Sequence, residues 1–263
     1  MTTTTTYPPA PRRRMSAWRL EGLRITRARG GLVLLAGYAF FGLVGPLTAR
    51  FMQQITKYAS TDLTIIAPAP IPAHGIVNFA NQAGQTGLIV AVVVAATALC
   101  FDARLGLAVF YRTRAPGPFA LIWPRFVSSA ALATSAYALG TLVAWFETGI
   151  LIGPLSAASI LLGVALQTVY LTFAVAVVAF ASTVGRSSLS TVGMSIAVLF
   201  LVLPIAALAP AVSPWLPTKL ASAPAALVTG GGVADYLRAV VVSVAATAGL
   251  LALAVRRARR RDL

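Results

Sequence analysis

Long apolar runs separated by short polar stretches set the pattern of this chain. Six of the runs are long enough to cross a hydrocarbon core about 30 Å thick. The first is Gly31–Ala49, 19 residues without a charge. The second is Gly84–Phe101, rich in Val and Ala, and the third is Phe126–Phe146, ending at Glu147. The apolar region from Ile150 to Val184 exceeds one straight crossing. Gly153 and Pro154 near its start predict a turn, which leaves Ala157–Thr183 as the fourth span. Gly185-Arg186-Ser187 reads as a tight turn, and Ser188–Ala209 as the fifth span, with Pro204 near its exit. The sixth, Tyr236–Val255, runs into RRARRRDL. The expected fold is an all-α membrane protein with six transmembrane helices over residues 30–255 and a basic tail at 256–263.

The segments between the runs differ in character. Residues 1–13 form a threonine- and proline-rich tail without periodicity, expected to be disordered. Residues 14–29 place Met15, Trp18, Gly22, Leu23 and Ile25 on one broad face among several arginines, with Glu21 as the one acid. That pattern predicts an amphipathic helix lying in the headgroup layer; a solvated basic tail that only sets topology is the alternative. A cleavable signal peptide is not expected, because the following run is too long and lacks a small-x-small site near Arg50. Residues 50–83, with prolines at 68, 70 and 72 and the lone His74, read as the longest polar loop. Residues 210–235 are rich in Pro and Gly and apolar enough to dip into the membrane. Between spans two and three, Asp102–Arg125 carries four arginines against one acid. Its apolar front half predicts a short helix, and Pro116, Gly117, Pro118 and Pro124 predict breaks after it.

Composition settles the class. The chain is 58% hydrophobic and 10% charged, with a mean hydropathy of +0.84, which a soluble domain of this size could not sustain. A net charge of +15 would suggest nucleic acid in a soluble chain, but here the positives flank the spans. With both termini cytoplasmic, that side receives 17 of the 21 Lys and Arg residues, and the other side only Arg50, Lys57, Lys219 and Arg238. The positive-inside rule then predicts a multi-pass cell-membrane protein with both termini and the Asp102–Arg125 segment in the cytoplasm. No nucleic-acid partner is expected. Trp145, Trp215 and Tyr236 fall near the outer interface, and Trp18, Tyr111 and Trp123 near the inner one.

Several kinds of chemistry lack their residues. The middles of the spans hold no Asp, Glu, Lys, Arg or His, so no carboxylate is placed to bind a coupling proton or sodium ion. Lys57 and Lys219 follow Thr56 and Thr218 rather than standing in a Gly-Lys-Ser/Thr phosphate loop. One histidine and one cysteine, His74 and Cys100, do not make a metal site, and Cys100 cannot form an internal disulfide. The chain is read as neither an enzyme nor a metalloprotein.

Six spans, cytoplasmic ends, a basic interfacial helix and a structured loop between spans two and three resemble the membrane permease subunits of type-2 ATP-binding-cassette (ABC-2) exporters. In that family the second span ends in an acid, a glycine-containing short helix follows, and a proline turn leads to a basic residue opening the third span. Here those features read Asp102, Gly106, Pro116 or Pro118, and Arg125. The acid usual just after the glycine is missing, and Arg125 stands where Lys is more usual. The resemblance implies that residues 104–114 form a cytoplasmic coupling helix docking on a separate ATPase, which binds ATP and Mg while this chain binds no cofactor. The coupling residues would be Arg104, Gly106, Phe110, Tyr111, Arg112 and Arg114, with Gly185 and Arg186 as a second contact. It also implies two copies of the chain around a shared path.

Polar residues within spans are the remaining handle on cargo. Thr134, Tyr137 and Thr141 share a face of the third span, and Gln167 and Tyr170 lie on the fourth. They are candidate path residues, although such stripes also join helix to helix. Gly42, Gly45, Gly149 and Gly153 would permit close approach of a second copy. Uncharged walls imply a hydrophobic or amphipathic cargo such as a drug, a lipid or a peptide antibiotic. The competing readings are a non-transporting anchor or sensor that recruits a cytosolic partner, and a passive channel.

Overall fold

The structure of the chain, a computed structural model, describes Trp18, Glu21 and residues 29–59, 69–100, 117–185 and 187–261. Every regular element among these residues is helical, and six helices are long and apolar enough to cross a membrane. They are α1 (Arg29–Ala59), α2 (Pro72–Leu99), α3 (Pro118–Leu151), α4 (Ala157–Val184), α5 (Ser188–Ala207) and, at the end of the chain, α8 (Leu237–Arg261). Two short helices, α6 (Thr218–Ala221) and α7 (Ala223–Val228), lie in the connection before α8. The chain is a multi-pass membrane protein by this architecture.

α4 organises the bundle. It is uncharged throughout and packs against α2, α3, α5, α6, α7 and α8. A helix that is apolar all round loses least by being enclosed, and Phe173–Ala179 is buried without a break. α1 and α3 make the other extensive contact. There Gly42 and Gly140 stand face to face: a Cβ on Gly42 would come within 2.5 Å of the Gly140 carbonyl oxygen, and one on Gly140 within 2.5 Å of that of Tyr38. Gly45 likewise meets the backbone of Phe79 on α2. Gly42 and Gly45 therefore serve packing within the chain, not the approach of a second copy. Gly149 faces open space, and Gly153 takes a positive φ at the turn before α4, where its Cβ would meet Pro72.

Four helices outrun the spans read from hydropathy, α8 by continuing past Val255 to Arg261, through most of the stretch read as a basic tail. α2 begins twelve residues before Gly84, so His74 lies on its first turn rather than in a loop. Pro72 opens the helix after an extended Ile71, a position that suits proline because the first N–H needs no partner. The segment is too polar to register as a span, yet Ala73, Ile76, Phe79, Ala80 and Ala83 form a buried face. α3 starts at Pro118 for the same reason and carries Pro124 inside it, so neither residue breaks the helix. α1 continues to Ala59, past Arg50 and Lys57. The fourth span agrees with the sequence to within one residue.

Two wide turns adjust the ladders. Ala83–Gly87 in α2 and Ala197–Val202 in α5 are π-helical. The first brings Gly87 against the ring of Tyr38, and the second precedes Pro204, which cannot donate to the carbonyl of Phe200. Residues 210–235 fold onto the bundle: Leu220, Ala223, Pro224 and Leu227 are buried, and Gly163 of α4 lies against Pro224. Cations at this end rest on rings, Lys219 over Tyr236 at 5.8 Å and Arg238 of α8 over Trp215 at 5.3 Å.

Successive spanning helices run in opposite directions. One end, here termed the base, gathers Arg29, the end of α2, the start of α3, Gly185 and Arg256–Arg260. The far end gathers Arg50, His74, Glu147, Lys219 and Arg238.

Candidate functional site

Residues 101–116, which include Arg104, Gly106, Phe110, Tyr111, Arg112 and Arg114, lie outside the described residues, as do Arg186 and most of the expected interfacial helix 14–29. The frame that holds the ends of this segment is described. α2 ends at Leu99, where Cys100 turns extended and its N–H bonds to the Ala96 carbonyl at 2.9 Å. The last carbonyls of a helix have no partner within it and carry the negative end of its dipole. Arg125 of α3 meets that need: its Nη1 donates to the Ala98 carbonyl at 3.2 Å. Its Nε donates to Oε1 of Glu21 at 2.8 Å. Both side chains are about nine-tenths buried, at 10% and 8% exposure. One guanidinium thus ties the N-terminal segment, the end of α2 and the start of α3 together, on both flanks of residues 101–116. Phe119, Trp123 and Phe126 continue α3 as an aromatic row, with ring centroids 5.7 and 5.8 Å apart.

Gly185 closes the α4–α5 turn at the same end. Its N–H bonds to the Ala181 carbonyl at 2.8 Å, and a Cβ there would meet Ser190 Oγ at 2.7 Å. Ser187 caps α5 by accepting from the Ser190 N–H at 3.1 Å, while the Ser190 hydroxyl accepts from the Ser187 N–H.

The candidate path residues sit inside one chain. Tyr137, Thr141, Gln167 and Tyr170 are all at most 3% exposed, and Thr134 is half-buried. The Thr141 hydroxyl donates to the Tyr137 carbonyl at 3.0 Å, and that of Thr134 to Ala131 at 3.1 Å, so both bond to their own helix. Tyr38 of α1, absent from the sequence reading, joins them: its ring meets Tyr137 edge-on at 5.9 Å, and its hydroxyl lies within electrostatic reach of Tyr137 and Tyr170. Phe79 closes the other side of Tyr137 at 5.4 Å. The hydroxyl of Tyr38 and Oε1 of Gln167 find no hydrogen-bond partner among the described residues. Unsatisfied polar atoms in an apolar interior are costly, since each has given up water for nothing. The arrangement can accept or donate hydrogen bonds once the helices part. Among the described residues no three metal-ligating side chains come together.

The Tyr38 signal was present in the sequence as a polar aromatic within an uncharged run. The Glu21–Arg125 pair was not, because a contact spanning 104 positions leaves no periodic trace.

No protein-family model, curated protein or solved structure matches this chain.

Proposed function

We propose that the chain is the transmembrane subunit of an ATP-driven exporter of the ABC-2 kind, working as two copies with separate ATPase chains and moving a hydrophobic or amphipathic compound outward. The observation that carries this reading is where the ionisable groups stand on the six spans. Arg29, Arg50, Lys57, His74, Arg125, Glu147 and Arg238 all lie toward helix ends, and α4 and α5 have none. A bundle with no mid-membrane carboxylate has nothing to couple an ion gradient to transport. A pump so built draws its energy from a partner.

The base supports the same reading. With that end in the cytoplasm, the ion pair of Glu21 and Arg125 braces the segment that would dock on the ATPase through Phe110 and Tyr111, with Gly185 and Arg186 as the second contact. A segment held rigidly at both ends transmits movement to the spans. The interior polar cluster of Tyr38, Tyr137, Gln167 and Tyr170 would meet cargo when α1, α3 and α4 separate. α5 and α8 leave wide apolar faces, including Leu189, Leu201, Ile205, Val241 and Val244, for lipid or a second copy.

The test is nucleotide-driven efflux of a lipophilic dye from vesicles that hold the chain and a co-purifying ATPase. Efflux is expected, together with its loss in the double variant Phe110→Ser/Tyr111→Ser. ATPase activity indifferent to every lipophilic compound would instead mark an anchor, and steady conductance without nucleotide a channel.

A further inference from the structure

A cavity of about 110 Å³ lies near the base, between the start of α1, the second half of α2 and the first turns of α3. Leu34, Ala91, Val94 and Ala95 give it apolar walls, and Thr97, which is exposed, stands at its rim. Its polar lining is nearly all committed: the Thr97 hydroxyl donates to the Val94 carbonyl at 2.8 Å, and that of Ser128 to the Arg125 carbonyl at 3.0 Å. Ser129 is the exception. It lines the cavity at 7% exposure, and its Oγ has no hydrogen-bond partner.

A serine on a spanning helix ordinarily returns its proton to a carbonyl three or four residues back, as Ser128, Ser182, Ser195 and Ser243 all do here. Leaving one uncommitted beside a cavity forgoes a hydrogen bond that a bound molecule could supply. We propose that this cavity binds a small amphiphile dissolved in the membrane: a short alkyl body seated among Leu34, Ala91 and Val94, and a single hydroxyl, amide or carbonyl group bonded to Ser129. The hydroxyl of serine both donates and accepts, so it suits any of these heads. The volume is somewhat below the roughly 150 Å³ that holds one benzene, so the enclosed part is on the order of four or five carbon atoms, with any longer tail leaving past the rim.

The site shares its wall with the ion pair at the base. Ala98 lines the cavity and gives its carbonyl to Arg125, while Ser128 lines it and donates to the carbonyl of Arg125. An occupant therefore bears on the residues that brace segment 101–116. The binding itself does not depend on the exporter reading, and its test uses no nucleotide.

The test is photolabelling of the full chain in nanodiscs of dioleoylphosphatidylcholine with an eight-carbon alcohol carrying a diazirine. The same probe without its hydroxyl serves for comparison. Adducts are expected on residues 91–98 and 128–132, saturable by unlabelled octanol. Ser129→Ala is expected to weaken the alcohol about fivefold and to leave the hydrocarbon probe unchanged. Ala95→Leu, which fills the space, is expected to abolish labelling by both. Adducts scattered over the exposed faces of α1, α5 and α8, an absence of saturation (the result if phospholipid already fills the site), or equal alcohol affinity in Ser129→Ala would each overturn the proposal. Ser129→Ala removes one buried, unbonded oxygen, so an unchanged melting temperature confirms that it reports binding rather than folding.

Discussion

Arg125 holds two partners from different parts of the chain, and the energetics of buried ions fix what its loss does. Removing one member of a buried pair strands the other without water, at a cost of about 3 kcal/mol. Arg125→Ala is expected to lower unfolding stability in detergent by about that amount, and Glu21→Ala by a comparable one. The double variant Glu21→Leu/Arg125→Met strands no charge, so it should recover most of the loss. Equal losses in all three variants would show that the ion pair itself, and not the stranding of a lone charge, supplies the stability. Tyr38 carries the opposite expectation. Its hydroxyl is buried and unbonded while its ring packs on Tyr137 and Gly87. Tyr38→Phe should therefore keep or raise stability by up to about 1 kcal/mol. A clear loss would reveal a partner for the hydroxyl. Residue-level reading of the sequence singled out Tyr137, Thr141, Gln167 and Tyr170 as polar positions within spans, and all four are interior. It took Glu21 as the one acid of an interfacial helix and Arg125 as a topology charge and the basic residue opening the third span, because nothing local distinguishes an arginine at a lipid headgroup from one bonded to a distant carboxylate.

At the scale of elements, the close approach of α1 and α3 is the most sharply testable feature. A Cβ on Gly42 would lie 2.5 Å from a backbone oxygen, which cannot swing aside as a side chain can. Gly42→Ala is expected to cost about 2 kcal/mol as the helices are pushed apart. Gly37, one turn away on the same helix, has nothing within 4 Å, so Gly37→Ala should be neutral or stabilising by about 0.5 kcal/mol. Thermal unfolding of both variants in the same detergent checks the contrast, and similar behaviour would contradict the helix crossing. Hydropathy located every spanning helix because an uncharged run of that length has few alternatives to crossing a bilayer. It misplaced their ends because it averages over faces. The first turns of α2 mix His74, Asn78, Asn81 and Gln82 with Ile76, Phe79 and Ala80, and only the tertiary contacts show that the apolar half is buried. Pro72 and Pro118 misled because proline costs little in the first turn, where its missing N–H has no partner to lose. Pro124, in the second turn, is carried inside α3 without ending it.

The whole molecule raises the question of sidedness, on which the proposed function turns. Among the described residues the bundle places Arg29, Arg125 and Arg256–Arg260 at one end and Arg50, Lys219 and Arg238 at the other, while the sequence bias of 17 to 4 also counts arginines outside the described residues. Cationic flanks are retained on the cytoplasmic side, so the base is expected there. Single-cysteine labelling measures this directly once the buried Cys100 is replaced by Ala. Gly232→Cys, exposed at the far end, should react with a membrane-impermeant maleimide in intact cells. Arg259→Cys, exposed at the base, should react only after permeabilisation. The reverse pattern would place residues 101–116 outside the cell, where no ATPase could reach Phe110 and Tyr111. The exporter reading would then fail, while the ion pair at Arg125, the Gly42–Gly140 crossing and the cavity at Ser129 would stand, since each rests on contacts within the bundle and not on which way it faces.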